Sequence, residues 1–247
     1  MSQKKALITG ASHGIGRAIA ARFAAEGCSL ILNCKTDYDL LQQTARELSD
    51  TYGVPATAIA CDVSDHSAVC AMFAQIREIF EGDGVDILVN NAGISSIGLL
   101  SDLSIEEWNR VLATNLTGVF SCCHEAIPYM VHKKNGCILN ISSVWGNVGA
   151  SCEVAYSASK GGVNAFTKAL AKELAPSGIT VNAIACGVID TRMNACFDES
   201  ERAALTEEIP MGRYGTPEEA AALAWQIVTA PSYLTGQILT LDGGWQS

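Results

Sequence analysis

Short apolar runs alternate with longer amphipathic stretches along the whole chain. The apolar runs occupy residues 6–9, 29–32, 56–60, 86–90, 137–141, 180–185 and 237–241. Most are apolar at successive positions rather than at every second one, which is typical of parallel strands covered by helices on both faces. We therefore predict that these seven runs form one parallel sheet with both surfaces buried.

The stretches between the strands have the periodicity of helices, and several carry helix-start signals. They occupy residues 15–26, 38–52, 65–80, 105–132, 156–175 and 217–230. Ser104 with Glu107, and Thr216 with Glu219, have the spacing of capping boxes. Strands that alternate with helices in this way predict an α/β fold, a doubly wound seven-stranded parallel sheet with helices on both faces.

The alternation of strands and helices is not interrupted by an internal repeat, a low-complexity tract or a linker. We therefore predict a single domain over residues 1–247. Residues 187–216 form the longest stretch outside the alternation, and long loops in compact domains often cover a functional site. This segment is predicted to be a substrate lid.

Charge and hydropathy exclude two classes of partner. The formal net charge is −10, which argues against binding the phosphate backbone of a nucleic acid. No apolar run approaches the roughly 20 residues needed to span a bilayer. The start, MSQKKALITG, fits a first strand better than a signal peptide. We expect a cytoplasmic protein that binds neither nucleic acid nor a membrane.

Cysteine is abundant, with ten residues, many of them in the apolar runs. No two have CxxC spacing, so buried reduced thiols are the expected form. A zinc site is not expected because the usual linear spacing of its ligands is missing. We therefore predict no bound metal.

A glycine-rich turn, TGASHGIG at 9–16, directly follows the first apolar run. Gly10, Gly14 and Gly16 stand between this strand and the first helix. Glycine permits a tight turn and close backbone approach, and a helix N-terminus attracts a pyrophosphate. The turn therefore predicts a dinucleotide-binding Rossmann fold.

The end of the second strand indicates which dinucleotide is bound. A carboxylate there would bond the ribose 2′-hydroxyl and repel a 2′-phosphate. The strand ends with Asn33 and Cys34, and Lys35 follows. We predict NADP(H), with Lys35 and His13 as donors to the 2′-phosphate. Asp37 lies close in sequence and opposes this choice, and Lys35 could instead be a solvated loop lysine.

Tyr156 and Lys160 lie one helical turn apart among small residues. At that spacing they share a helix face. A cation beside a phenol lowers the pKa of the phenol, as does the charge of an oxidised nicotinamide. The pair predicts a tyrosine that donates a proton near neutral pH, although a functionless surface pair is the simpler alternative. Ser143, near the end of the fifth strand, could hydrogen-bond a carbonyl oxygen.

Six motifs occur together in this chain. They are TGASHGIG (9–16), CDV (61–63), NNAG (90–93), LATNLTG (112–118), NISSV (140–144) and YSASK (156–160). With them, the chain resembles the short-chain dehydrogenase/reductase family over its whole length. Other phrases look like the 3-oxoacyl-[acyl-carrier-protein] reductases of fatty-acid biosynthesis, although sugar, polyol and ketone reductases share them. These phrases are TGASHGIGRAIA, GVIDTRMNA, IPMGRYGTPEE and LTGQILTLDGG.

The resemblance implies a catalytic tetrad of Asn115, Ser143, Tyr156 and Lys160. Ser143 is chosen over Ser142 because it lies 13 residues before Tyr156, as in the family. Asn115 would hold a water that relays the proton through Lys160. The resemblance also implies a homotetramer built through the helices at 105–132 and 156–175 and the C-terminal strand.

The glycine turn and the resemblance together give a set of cofactor-binding residues. In it, Asp62 and Val63 would meet the adenine, and the residues after the sixth strand would hold the nicotinamide end. The full set is Gly10, Ser12, His13, Gly14, Ile15, Gly16, Lys35, Asp62, Val63, Asn91, Ala92, Gly93, Tyr156, Lys160, Val188, Ile189 and Thr191.

The leading hypothesis is an NADPH-dependent reductase that converts a 3-oxoacyl thioester to the 3-hydroxyacyl thioester. One alternative is a short-chain reductase or dehydrogenase of another small ketone, sugar or polyol. A non-enzyme alternative is a dinucleotide-binding sensor or scaffold, although such a protein has no need of all four catalytic groups.

Two positions depart from the family pattern. Cys186 replaces a proline at the end of the sixth strand, which could loosen the following loop or expose a reactive thiol. Ser177 stands where an arginine is common, and an acidic acyl carrier protein needs a basic docking patch on this acidic chain. Lys133 and Lys134 keep a basic pair elsewhere. Acyl carrier protein is therefore a weaker expectation than the reductase activity.

Overall fold

The computed structural model describes residues 3–194 and 198–246. Its strands are β1 (Lys5–Ile8), β2 (Ser29–Cys34), β3 (Ala56–Ala60), β4 (Ile87–Asn90), β5 (Gly136–Ser143), β6 (Ile179–Cys186) and β7 (Ile238–Leu241). Its α-helices are α1 (Gly14–Ala25), α2 (Tyr38–Tyr52), α3 (His66–Ile79), α4 (Ile105–Leu112), α5 (Gly118–Lys133), α6 (Trp145–Val148), α7 (Val154–Leu174), α8 (Glu199–Glu208) and α9 (Pro217–Val228).

All seven strands pair in parallel in the order β3-β2-β1-β4-β5-β6-β7. The chain starts in the middle with β1, proceeds to one edge, and returns to continue from β4 to the other edge. The neighbouring carboxyl ends of β1 and β4 therefore lie where the direction of winding changes, which is where ligands bind in open α/β sheets. The predicted Rossmann fold is confirmed.

The core lies on both faces of the sheet. On one face α1, α2 and α9 pack against the strands, and Phe23 of α1 meets Trp225 of α9 edge to face at 5.2 Å between ring centroids. On the other face α3, α5 and α7 contribute residues such as Phe73, Met130 and Leu170. Every residue of β2 and of β5 is buried, which explains why these strands are apolar at successive positions.

The helix predicted over 105–132 is not continuous. It consists of α4, a π-helical turn at Ala113–Thr117 and α5. A π turn inserts one residue into an α-helix without changing the apolar periodicity on either side enough to be visible in sequence. This turn contains Asn115.

Two helices could not be located by sequence periodicity, although residues 187–216 were predicted to be a partly helical lid. The α6 helix has four residues, too few to show a period. The α8 helix, ESERAALTEE, buries none of its residues and so lacks an apolar stripe. It belongs to the segment 187–216, which follows β6, and part of that segment, at 195–197, lies outside the described residues. No helix among the described residues is long and apolar enough to cross a membrane.

Candidate active site

A cavity of about 1470 Å³ opens at the carboxyl ends of the strands. It extends from the glycine turn before α1 to the residues after β5 and β6. Nearly all the predicted site residues line it. The exceptions are Gly16 and Asn115, which lie behind the lining.

The glycine turn is closely packed and could not accept larger residues. Gly10 has φ of +63°, a conformation that L side chains rarely adopt. A Cβ on Gly16 would lie 2.3 Å from the carbonyl oxygen of Gly10 and 2.5 Å from Nδ2 of Asn91. His13, the N-cap of α1, makes no side-chain cap hydrogen bond, so the first amides of the helix remain available to a phosphate. The turn therefore fits a dinucleotide pyrophosphate.

Asn91 ties β4 to this turn. Its Nδ2 donates to the carbonyl oxygens of Thr9 (2.9 Å) and Gly10 (3.0 Å), and the amides of Asn91 and Ala92 donate to Oγ1 of Thr9 at 3.0 Å each. The side-chain amide of Asn91 thus shapes the turn from within. Thr9 was missed by the sequence reasoning, although it opens the TGASHGIG motif.

Charged groups surround the cavity at the end of β2. Nζ of Lys35 lies 2.7 Å from Oδ2 of Asp62, which also accepts from Ser64 through its other oxygen. Partial burial opposes ionisation, but the hydrogen bonds from Lys35 and Ser64 hold the pKa of Asp62 below its ordinary value. Lys35 is not simply a solvated loop residue, because it pairs with a predicted adenine-site residue.

Asp37 is turned toward a second group of charges. Its Oδ2 lies 3.5 Å from Nδ1 of His13 and 3.6 Å from Nη1 of Arg192. Burial and the neighbouring Arg192 lower the pKa of His13, so this imidazole is neutral at neutral pH. Arg192 belongs to the segment after β6 and was missed by sequence reasoning. It brings a cation to the same region as Lys35.

Ser143, Tyr156 and Lys160 converge where β5 ends beside α7. Ser143 is the last residue of β5, and its Oγ accepts the amide of Trp145 at 3.1 Å. Ser143 and Tyr156 are hydrogen-bonded through their side chains. Lys160 is buried, with Nζ 5.6 Å from the centroid of the Tyr156 ring and 2.8 Å from the carbonyl oxygen of Ile141. The three predicted side chains therefore form one cluster.

Burial dominates the titration of this cluster. It raises the pKa of Tyr156 above its ordinary value, and the hydrogen bond from Ser143 only partly opposes this rise. Burial also lowers the pKa of Lys160 to about 8. In the protein alone, desolvation is the dominant influence on both groups, whereas the predicted lowering of the Tyr156 pKa also includes the charge of a bound oxidised nicotinamide. Within the protein's own groups, Tyr156 is held protonated and ready to donate.

Asn115 holds the loop after β4 against the cluster. Its Oδ1 accepts the amide of Ile94 at 2.9 Å, and its Nδ2 donates to the carbonyl oxygen of Ile94 at 2.9 Å and to Oγ of Ser159 at 3.0 Å. A Cβ on Gly93 would lie 3.4 Å from Oδ1 of Asn115 and 3.5 Å from Nζ of Lys160. The side chain of Asn115 therefore positions Gly93 and Ile94 beside the lysine.

Cys186 lies at the end of β6, opposite Ser143 in the strand register. It is buried and interacts electrostatically with Lys160 and Tyr156. Burial raises the pKa of this thiol to about 12. A thiol that stays protonated is a poor nucleophile, which disfavours thiol-based regulation at this position. The carbonyl oxygen of Cys186 accepts the amide of Val144 at 2.9 Å, so the strand end is held without proline.

The comparisons with known proteins agree with this geometry. The family model described as short chain dehydrogenase matches residues 4–202. The chain belongs to the short-chain dehydrogenase family. Its relatives show an oxidoreductase that acts on CH–OH or C=O groups with a nicotinamide dinucleotide, so the sensor or scaffold alternative is not supported.

Individual relatives of this short-chain dehydrogenase differ in substrate. It is 44% identical over 245 residues to 3beta-hydroxysteroid dehydrogenase 1 of Eggerthella lenta, covering 98% of this chain and 93% of the relative. It is 39% identical over 242 residues to a 3-oxoacyl-[acyl-carrier-protein] reductase of Aquifex aeolicus, covering 98% and 96%. A solved structure provisionally assigned as a gluconate dehydrogenase of Agrobacterium tumefaciens has a TM-score of 0.93 at 36% identity, covering 99% and 96%.

Replacing Gly16 with alanine tests the glycine turn of this short-chain dehydrogenase. The new Cβ would collide with the backbone of Gly10, and overpacking of this kind typically costs about 1–3 kcal/mol. We expect Gly16→Ala to weaken dinucleotide binding by roughly 10-fold or more, measured by fluorescence titration. Gly98→Ala is the control, because a Cβ there meets nothing within 4 Å. Equal affinities in the two variants would contradict the packing argument.

Proposed function

We propose that this short-chain dehydrogenase reduces 3-oxoacyl thioesters with NADPH. The observation that carries the proposal is the character of the cavity beyond Ser143 and Tyr156. Besides polar and acidic groups, several large apolar side chains contribute to the lining. They are Ile97, Trp145, Val148, Met193, Leu205 and Trp245. A 3-oxoacyl thioester presents a ketone to Ser143 and Tyr156 and a flexible apolar chain to these apolar side chains.

The charges of the cavity argue against a sugar acid. Arg110 is engaged by Glu107 through two hydrogen bonds of 2.7 and 2.6 Å, and Arg192 faces Asp37. Besides Asp37 and Asp62, three further carboxylates line the cavity, namely Glu153, Glu201 and Glu208. A substrate carboxylate would be repelled by these groups, because the lining cations Lys35 and Arg192 are assigned to the 2′-phosphate of the cofactor. A neutral thioester carries no such penalty.

A cyclic apolar ketone is the second candidate. The apolar lining suits a steroid as well as an acyl chain, and the relative from Eggerthella lenta carries that name. The 3-oxoacyl thioester is preferred because the named reductases of that type match nearly the full length of the chain in several species.

The protein's own groups support a defined division of labour. The bound cofactor supplies a hydride to the carbonyl carbon. Tyr156 holds the proton for the substrate oxygen at its hydroxyl, and Ser143 hydrogen-bonds that oxygen as negative charge develops on it. Lys160 uses one N–H on Ile141, which leaves two for the ribose hydroxyls of the cofactor. Once that site is filled, Lys160 and the charge of the oxidised nicotinamide would favour the phenolate after transfer.

Asn115 would support proton delivery mainly by position. Both side-chain N–H groups are engaged, by Ile94 and Ser159, so a relay water could only donate to Oδ1 or bind another atom of this residue or its neighbours. The π-helical turn that contains Asn115 places it behind Lys160. Such turns are frequent at functional sites. The proposed water relay through Lys160 therefore depends on this turn.

The preference for NADPH over NADH rests on the end of β2. The amide of Asn33 is buried and donates to the carbonyl oxygens of Ile59 and Cys61, so it is not free for a ribose. Lys35 remains 63% exposed despite its bond to Asp62, and Arg192 faces the same part of the cavity. Two cations within reach of the 2′-phosphate outweigh Asp37, which is itself compensated by Arg192.

The identity of the thioester carrier depends on surface charge. Nζ of Lys133 lies 2.7 Å from Oδ1 of Asp86 and 3.1 Å from Oη of Tyr129, so much of its charge is compensated. Ser177 lies in a short 3₁₀ turn after α7 and adds no charge. Docking of an acidic acyl carrier protein would therefore depend on Lys134, Lys168 and Lys172, and a coenzyme A thioester is an equally good form of the substrate.

A cytoplasmic homotetramer is part of the proposal. Large apolar side chains are exposed on the helices that were predicted to pair, including Ile105 on α4 and Phe120 and Val131 on α5. Contiguous apolar surface of this kind often marks a contact between subunits.

Replacing Tyr156 with phenylalanine tests the proton donor. Loss of general acid catalysis typically costs about 10²- to 10⁴-fold, so kcat should fall by that factor. NADPH binding should persist, because the ring and Lys160 remain. Steady-state kinetics and fluorescence titration measure the two quantities. Tyr52→Phe, an exposed position on α2, is the control. Retained turnover in Tyr156→Phe would reject this role.

A matched assay tests the substrate class. We expect kcat/KM for acetoacetyl thioesters with NADPH to exceed that for a 3-ketosteroid by at least about 10-fold, the scale on which apolar pockets discriminate. Gluconate oxidation with NADP⁺ should be slower still because of the cavity carboxylates. Higher activity on the steroid would make the second candidate the function.

Replacing Lys35 with alanine tests the cofactor preference. Hydrogen bonds to charged groups contribute about 1.5–3 kcal/mol, so kcat/KM for NADPH should fall by about 10- to 100-fold. The value for NADH should change little, since it has no 2′-phosphate. Lys4→Ala, an exposed lysine before β1, is the control. Equal losses with both cofactors would mean that Lys35 acts only through Asp62.

A further inference from the structure

Four side chains with metal-binding atoms meet on the outer surface where α3 packs against α5. His66 and Cys70 lie one turn apart at the start of α3, and His124 and Glu125 are adjacent on α5. None of them lines the catalytic cavity. The proposed reaction uses none of them, so their proximity calls for a separate explanation.

Three of the four donor atoms converge, and the fourth lies beside one of them. One ligand atom each from His66, His124 and Glu125 lies within 4.8 Å of the other two. Sγ of Cys70 lies 3.6 Å from Nε2 of His66, and Glu125 is close enough to Cys70 to interact with it electrostatically. The ring planes of His66 and His124 lie at 70° to each other, with centroids 5.7 Å apart. One nitrogen of each imidazole is therefore close enough to the other, and to Glu125, for the three to share an ion.

Two of these distances match the edges of a tetrahedral zinc site. Zn–N and Zn–S bonds of ordinary length at the tetrahedral angle place the nitrogen and sulfur about 3.6 Å apart. The separation of Nε2 of His66 and Sγ of Cys70 is 3.6 Å. A Zn–N and a Zn–O bond place their atoms about 3.3 Å apart. Nδ1 of His124 lies 3.2 Å from Oε1 of Glu125.

We propose that His66, Cys70, His124 and Glu125 bind a zinc-type divalent ion. Two imidazoles, a thiol and one carboxylate suit Zn²⁺ and its neighbours in the transition series, whereas Ca²⁺ and Mg²⁺ prefer oxygen ligands alone. With four protein ligands the site is closed to substrate, so the ion has a structural role.

The ordinary surface alternative explains only part of the cluster. His124 and Glu125 form an ion pair when the imidazole is protonated, and Phe120 contacts both imidazole rings. An ion pair needs neither the second imidazole nor the thiol. The bound ion gives all four side chains a shared role.

The site would tie together two elements that flank the cofactor. The α3 helix begins soon after Asp62 and Val63, which line the cavity, and α5 continues from the π turn that contains Asn115. An ion that links α3 to α5 would stabilise the two segments that precede these helices at the cavity, without contacting substrate. An ion that binds the folded chain and not the unfolded chain raises the melting temperature, and the increase grows with the metal concentration.

Zinc titration of the full-length protein tests the proposal. The protein is first stripped with a chelator, and Zn²⁺ alone is the probe. Calorimetry should show a saturable site of one ion per chain, and Zn²⁺ should raise Tm. His66→Gln and His124→Gln should each weaken this site by at least about 10-fold, and their Tm should no longer respond. His132→Gln, an exposed histidine on α5, should behave as the wild type.

Cobalt substitution distinguishes the thiol ligand. Co²⁺ in the same site should give the visible bands of four-coordinate cobalt and a thiolate-to-metal charge-transfer band. Cys70→Ser should remove the charge-transfer band, whereas Cys152→Ser should keep it. Circular dichroism and metal-free turnover, expected to be unchanged in every variant, show that folding is intact. Equal Zn²⁺ affinity in His66→Gln, His124→Gln and the wild type, or no saturable site, would overturn the proposal. A finding that the protein does not reduce 3-oxoacyl thioesters would not affect the proposed metal site.

Discussion

Parallel pairing of seven strands buried on both faces is the constraint on which the rest of this protein depends. Parallel strands need a crossover after each one, so the carboxyl ends of all strands lie on the same side of the sheet. The loops that follow these ends can therefore contribute residues to one site. The glycine turn after β1, the Asn91 loop after β4, Ser143 at the end of β5 and Cys186 at the end of β6 meet at that edge. Residues far apart in sequence form one cavity for this reason.

Desolvation then sets the chemistry of the cavity. Lys160 is buried and its pKa is lowered to about 8, while Tyr156 is buried and held protonated. Neither residue has this character in water. The same burial keeps the Cys186 thiol protonated. The thiol therefore does not compete with Tyr156 or Lys160 as an acid or a base. A bound cofactor adds its charge to a site whose pKa values are already shifted by burial.

Much of the fold and the site could be predicted from sequence because the relevant signals are local. The continuous apolar runs gave β2 and β5, the glycine spacing gave the turn before α1, and the spacing of Tyr156 and Lys160 gave one helix face. The extent to which the pKa of Tyr156 is lowered could not be predicted, because it depends on how deeply Tyr156 and Lys160 are buried and on the charge of the bound cofactor. The π turn around Asn115 and the uncharged turn at Ser177 had no periodic signal strong enough to fix their geometry.

The amino-acid order by itself determined the strands, the crossovers and the residue types at the catalytic edge, since periodicity and turn chemistry act over a few residues. Only the tertiary structure decided which distant groups meet. It paired Lys35 with Asp62, brought Arg192 to His13 and Asp37, and placed His66 and Cys70 beside His124 and Glu125. Linear spacing could not indicate the last of these clusters, because its members lie on two helices that become neighbours only when both pack on the same face of the sheet.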